Sequence, residues 1–132
     1  MEVVENMKKI VLVEDDSFMS GILAKHLIGE GFAVVLMTDG DQEFDHIVAE
    51  QPSIVLLDII LPGRSGFDIL QKLKQDESTK SIPVLILSNL GSKEEIQRGI
   101  DLGAEGYLVK ANSTVEEITG KVQEILNRYI SH

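Results

Sequence analysis

Five short apolar runs, separated by segments of helical period, constrain what this chain folds into more than any other feature of it. The runs are Ile10-Val11-Leu12-Val13, Phe32-Ala33-Val34-Val35-Leu36-Met37, Ile54-Val55-Leu56-Leu57, Val84-Leu85-Ile86-Leu87 and Tyr107-Leu108-Val109. A strand with one wet face alternates apolar and polar residues. The first, third and fourth runs do not alternate, so they read as strands covered on both faces of a parallel sheet. Between them, Phe18, Ile22, Leu23 and Leu27 predict one face of a first helix, with Ser17 as its cap and Gly29 and Gly31 at its end. A weaker segment from Asp39 to Glu50 has Phe44, Ile47 and Val48 as its inner face. Phe67, Leu70 and Leu73 mark a third helix after a Pro62-Gly63 turn. Ile96, Ile100 and Leu102 mark a fourth, capped by Ser92 and stopped at Gly103. Val115, Ile118, Val122, Ile125 and Tyr129 mark the last, capped by Ser113 or Thr114. Five β-α units in series, with right-handed crossovers, predict a three-layer α/β/α domain, doubly wound around a five-stranded parallel sheet.

The length of 132 residues fits one domain. Its boundaries read as 8–130, with Met1 to Met7 a short extension before the patterned sequence begins. Twelve basic against 22 acidic residues give a formal charge of −10. Nucleic-acid and anionic-membrane phosphates would repel such a chain, so neither is an expected direct partner. With no cysteine, thiolate metal sites, disulfides and Cys nucleophiles are excluded. The charged start lacks the apolar core of a signal peptide, and no run approaches the ~18–20 apolar residues of a membrane span, so a cytoplasmic setting is the expectation.

Ligands of such sheets sit beyond the carboxyl ends of the strands. The polar residues that end the runs here are Glu14, Asp15 and Asp16, then Asp58, Ser88 and Lys110. Crowded carboxylates repel one another, and a divalent cation is their natural neutraliser. Hard oxygen ligands favour Mg²⁺ over zinc or copper. A metal beside a carboxylate suits phosphoryl transfer, in which Asp serves as a covalent nucleophile.

Four pieces of sequence carry a resemblance: Val11-Leu12-Val13-Glu14-Asp15-Asp16, Leu56-Leu57-Asp58-Ile59-Ile60-Leu61-Pro62-Gly63, Pro83-Val84-Leu85-Ile86-Leu87-Ser88, and Gly103-Ala104-Glu105-Gly106-Tyr107-Leu108-Val109-Lys110. Together they resemble the receiver domain of bacterial two-component response regulators, over roughly Lys8 to Tyr129. The resemblance implies a flavodoxin-like strand order 2-1-3-4-5. It makes Asp58 the phosphoacceptor and Asp15 a direct Mg²⁺ ligand, aided by Glu14, Asp58 itself and the backbone carbonyl of Ile60. Ser88 would hydrogen-bond the phosphoryl group, and Lys110 would pair with a phosphoryl oxygen. Tyr107 matches the aromatic switch position, although a plain packing role reads equally well there. The implied partners are a sensor histidine kinase or histidine phosphotransfer protein and a downstream protein. The latter would be controlled through the face of the fourth helix, fifth strand and fifth helix. Monomer and homodimer through that face both stay open. The chain would catalyse only its own phosphotransfer and autodephosphorylation.

Two positions depart from the family pattern. Ala111 follows Lys110 where proline is usual, leaving the isomer of that bond open, and Asn89 stands where a small residue usually follows the hydroxyl. Asn89 is expected to narrow access to Asp58. Ile60 and Leu90 are expected to flank the site with apolar side chains and to slow dephosphorylation by positioning water poorly. Other readings are weaker. Acidic Glu14-Asp15-Asp16 would repel a flavin phosphate. An Asp-nucleophile phosphatase needs a second Asp where Ile59, Ile60 and Leu61 stand. A pseudo-receiver used only for protein binding has no need of the full acid, hydroxyl and lysine set. His26, His46 and His132 lack metal-ligand spacing. Gly63-Arg64-Ser65-Gly66 is no nucleophile elbow, and Ser65 reads as a helix cap. Gly29-Glu30-Gly31 follows a helix rather than a strand and is no dinucleotide fingerprint. Asp39-Gly40-Asp41 reads as a turn.

Overall fold

The computed structural model describes residues 7–37 and 42–130, with the side chain of Ile130 excepted. The Asp39-Gly40-Asp41 turn, His132 and most of the N-terminal extension lie outside them. The five runs are strands β1 (Lys9–Val13), β2 (Ala33–Met37), β3 (Ile54–Leu57), β4 (Val84–Ser88) and β5 (Gly106–Val109). They alternate with helices α1 (Ser17–Gly29), α2 (Glu43–Glu50), α3 (Gly66–Gln75), α4 (Lys93–Asp101) and α5 (Val115–Ile130). The strands form one sheet in the order β2-β1-β3-β4-β5, with every neighbouring pair parallel. This is the flavodoxin-like order the sequence predicts.

Successive side chains of a strand point to opposite faces, and the core divides accordingly. Val11, Val13, Val55, Leu57, Val84 and Ile86 lie on one face, beneath Ile47 of α2 and Phe67, Leu70 and Leu73 of α3. Ile10, Leu12, Ile54, Leu56, Leu85 and Leu87 lie on the other, beneath Leu23 and Leu27 of α1 and Ile118, Val122 and Ile125 of α5. Burying a side chain of this size fully contributes about 1.5–3 kcal/mol. The central strands, apolar on both faces, thus hold the helical layers together.

Several local expectations change. α1 is capped by Asp16, not Ser17: the Asp16 carboxylate accepts the N–H groups of Phe18 and Met19 at 3.1 and 3.2 Å. Its inner face is Ser20, Leu23, Ala24 and Leu27, while Phe18 is 73% and Ile22 43% exposed. Small residues let the helix lie close to the sheet, and the Ser20 hydroxyl spends itself on its own helix, donating to Ser17 O at 3.3 Å. Ile100 and Tyr129 are likewise exposed rather than inward. Thr114 caps α5, accepting the Glu117 N–H while the Glu117 carboxylate accepts that of Thr114. Ser65 and Ser92 cap α3 and α4 as expected. After β3 the chain makes a small antiparallel ladder, Ile60–Leu61 against Arg64–Ser65, around Pro62-Gly63, where Gly63 takes φ +73°.

Candidate functional site

Strand register assembles the site. Val13 lies opposite Leu57, and the ladder runs one step further when Asp58 N–H donates to Val13 O at 3.0 Å. Glu14 N–H donates to Met37 O at 3.1 Å, extending the β1–β2 pairing in the same way. Ser88 lies opposite Val109, so Lys110 is the next residue beyond that pair. The parallel sheet therefore delivers Glu14, Asp58, Ser88 and Lys110 to one edge, whatever their separation in sequence.

Glu14 and Asp58 are 3% and 4% exposed, so neither charge is left to water and each needs a partner. Lys110 supplies it. Its Nζ lies 2.7 Å from Glu14 Oε1 and 3.0 Å from Asp58 Oδ2. The remaining oxygens are also used: Glu14 Oε2 accepts the Asp16 N–H at 3.1 Å and Asp58 Oδ1 accepts the Ile60 N–H at 3.2 Å. Burial raises the Glu14 carboxyl above its ordinary value, against the lowering pull of Lys110 and the Asp16 N–H. Burial works against the Lys110 charge too, but its bonds to Glu14 and Asp58 outweigh this and its pKa is raised. The lysine is held as an ammonium.

Asp15 stands exposed at the rim, and carboxylate oxygens of Glu14, Asp15 and Asp58 lie within 4.8 Å of one another. Three carboxylates face one ammonium, and all the donors are hard oxygens. That chemistry fits a divalent cation of the Mg²⁺ kind. Asp16 belongs to the cap of α1. Ser88 is completely buried, its hydroxyl accepting the Leu90 N–H at 3.4 Å. Tyr107 is half-buried against the α3 side of the core, and its hydroxyl donates to Leu90 O at 2.5 Å. Burial raises the pKa of its phenol.

The two departures turn out to touch each other. The Asn89 Oδ1 accepts the Ala111 N–H at 2.9 Å. No peptide bond among the described residues is cis, so Lys110–Ala111 is trans and opens a short 3₁₀ turn, Lys110–Asn112. Ile60 is 54% exposed beside the site, whereas Leu90 packs on the core.

Sequence reasoning missed two supports of the site. A Cβ on Gly66 would lie 2.2 Å from the carbonyl oxygen of Asp58 and 2.7 Å from Ile59 Cα, so α3 begins in direct backbone contact with the strand end. Buried Glu43 pairs with Arg64, whose guanidinium also donates to Pro62 O and braces the ladder after Asp58. Neither leaves a local signal, because each depends on packing between separate elements.

Residues 10–123 match the response regulator receiver domain family, and the chain belongs to it. Its members are phosphorylation-dependent switches of two-component signalling. The chain is 36% identical over 122 residues to the DNA-binding dual master transcriptional regulator RpaA of Synechocystis. It is 34% identical over 122 residues to the phosphate regulon transcriptional regulatory protein PhoB of Rhizobium meliloti. Each match covers 92% of this chain but 50% and 53% of the relative, so the chain spans about half the length of these proteins. The BeF₃-activated N-terminal receiver domain of Klebsiella pneumoniae RstA superposes with a TM-score of 0.82 at 30% identity, covering 89% of this chain and 97% of that one.

Proposed function

We propose that Asp58 is the phosphoacceptor of this receiver domain, a unit spanning residues 8–130. The observation that carries the reading is Lys110 Nζ bridging Glu14 and Asp58 at adjoining strand ends, with buried Ser88 at the end of the neighbouring strand. The donor is a phosphohistidine of a sensor kinase or of a histidine phosphotransfer protein. An Asp58 carboxylate oxygen forms the new O–P bond as the P–N bond breaks, and the electron pair of that bond returns to the imidazole nitrogen. Lys110, already an ammonium beside Asp58, shields the incoming phosphoryl oxygens from the carboxylates. Asp15, Glu14 and Asp58, with the Ile60 carbonyl, would hold Mg²⁺, which would supply charge neutralisation for the transfer.

The Ser88 hydroxyl then turns from the Leu90 N–H to the phosphoryl group. Tyr107 is tied to the same loop through Leu90 O, so this movement reaches the α4-β5-α5 face, which a partner protein or a second copy reads. Such a switch is a two-state equilibrium biased by local charge, and full inversion from 1:99 to 99:1 takes ~5.5 kcal/mol. The proposed setting is the cytoplasm, and self-catalysed hydrolysis ends the signal. Exposed Ile60 contributes no hydrogen bond to the attacking water, so Ile60→Asn speeds loss of the phosphoryl group; an unchanged rate counts against that role.

Incubation with acetyl phosphate and Mg²⁺, read by intact mass, tests the assignment. One phosphoryl group per chain is expected for wild type and none for Asp58→Asn. Labelling that persists in the variant overturns it.

A further inference from the structure

We propose that Asn89 is a positioning residue for Lys110, fixing through Ala111 the turn from which the lysine reaches Asp58. This rests on the phosphoacceptor reading above. Lys110 acts at the end of a long, flexible side chain, so the placement of its Nζ depends on where its backbone is held. The other bonds of its turn are local: Ser113 N–H to Lys110 O at 3.2 Å and Ser113 Oγ to Val109 O at 2.9 Å. The bond from Ala111 N–H to Asn89 Oδ1, at 2.9 Å, instead crosses from the β5 end to the β4 end. A proline at 111 would have no N–H to give, and an alanine at 89 no oxygen to receive it. Each residue therefore has its use only with the other.

The latch has a second consequence. Asn89 directly follows Ser88, and Ala111 directly follows Lys110. The two groups assigned to the phosphoryl oxygens are each one residue from this bond. On the far side of the same loop, the Tyr107 hydroxyl holds Leu90 O. The Asn89-Leu90 loop is thus stitched to the β5 side at two points, and the Asn89 stitch ties the backbone next to Ser88 to the backbone next to Lys110 while leaving the Ser88 hydroxyl free to turn.

The test uses the full chain and the variants Asn89→Ala, Ala111→Pro and their combination. In wild type the Ala111 amide is protected from hydrogen exchange, and Asn89→Ala removes that protection. Labelling of Asp58 by acetyl phosphate at saturating Mg²⁺ slows about three- to tenfold in Asn89→Ala, the range one surface-accessible hydrogen bond commands. Mg²⁺ affinity, measured by calorimetry, stays equal or tightens, because a loosened Lys110 competes less for Glu14 and Asp58. The double variant is no slower than the slower single variant, since both changes remove one bond. Unchanged exchange at Ala111, additive losses, or Mg²⁺ affinity falling in step with the rate would each overturn the proposal. A wild type not labelled at Asp58 would instead overturn the phosphoacceptor reading, while exchange and Mg²⁺ affinity still decide the latch.

Discussion

Helices α3 and α4 start from comparable positions and are held in very different ways. Each follows a strand that delivers a site residue, Asp58 for α3 and Ser88 for α4, and each begins with a serine cap. α3 buries Gly66, Phe67, Ile69, Leu70 and Leu73. α4 buries only Gly99, and its Ile100 is 42% exposed. Local helix signals are equally good in both, so the difference lies in tertiary burial, the main source of helix stability in proteins. A region with few buried apolar contacts opens at lower free energy than the rest. The end of the site that carries Asp58 is therefore held more firmly than the end that carries Ser88.

Glycine substitutions separate the two helices most strongly. Gly66→Ala drives a methyl group into the backbone of Asp58 and Ile59, where nothing yields cheaply. We expect a loss of about 3 kcal/mol or more in urea unfolding, as for overpacking against fixed atoms. A Cβ on Gly99 meets the end of the Ile86 side chain at 2.6 Å and the Tyr107 ring at 3.1 Å, which can shift. Alanine also gains about 1 kcal/mol over glycine within a helix, so the net cost there is about 1 kcal/mol or less. Equal losses at the two positions would break the comparison. Truncation gives a second, smaller contrast: Leu70→Ala costs about 2–5 kcal/mol, and Ile100→Ala stays within about 0.5 kcal/mol.

Those contrasts also mark where the sequence stops being legible. The unalternating runs exposed the buried strands, and strand ends exposed the site, because both signals are local and the parallel sheet does the rest. The same hydrophobicity misled in α1: Phe18 and Ile22 looked inward, yet Ser20 and Ala24 sit there because a close approach favours small residues. Glu43 with Arg64, Asn89 with Ala111, and Gly66 with Asp58 are contacts made between elements. No spacing or period marks them. Ile100 belongs to a good helical period and is exposed because nothing among the described residues covers it.

The hydroxyl of Tyr107 offers a finer cut. Tyr107→Phe removes its bond to Leu90 O while keeping the ring against Gly99. The expected loss is about 1 kcal/mol of stability, with faster amide exchange in α4 and none added in α3. Acceleration in both helices would mean that they open together and that the loose end is no separate unit.

The smallest effect concerns an outer tie of the loose side. Tyr129 Oη donates to Glu105 Oε2 at 2.8 Å, joining the end of α5 to the connection between α4 and β5. Burial and this bond to a carboxylate push its phenol up to about 12. A group whose pKa is raised on folding contributes stability that is fully present below its unfolded value, near 10.0, and is lost as pH rises through the folded one. The chain has two tyrosines and no tryptophan, so phenolate absorbance reads both directly. We expect both to ionise above 10.0, Tyr129 at about 12, and the titration to lose its Tyr129 step in Tyr129→Phe. Because the group is 44% exposed, its removal changes stability only slightly. Ionisation of Tyr129 at an unshifted 10.0 would mean that the Glu105 tie is not formed in solution. α4 would then be held at its β5 end by less still, and the contrast with α3 would sharpen.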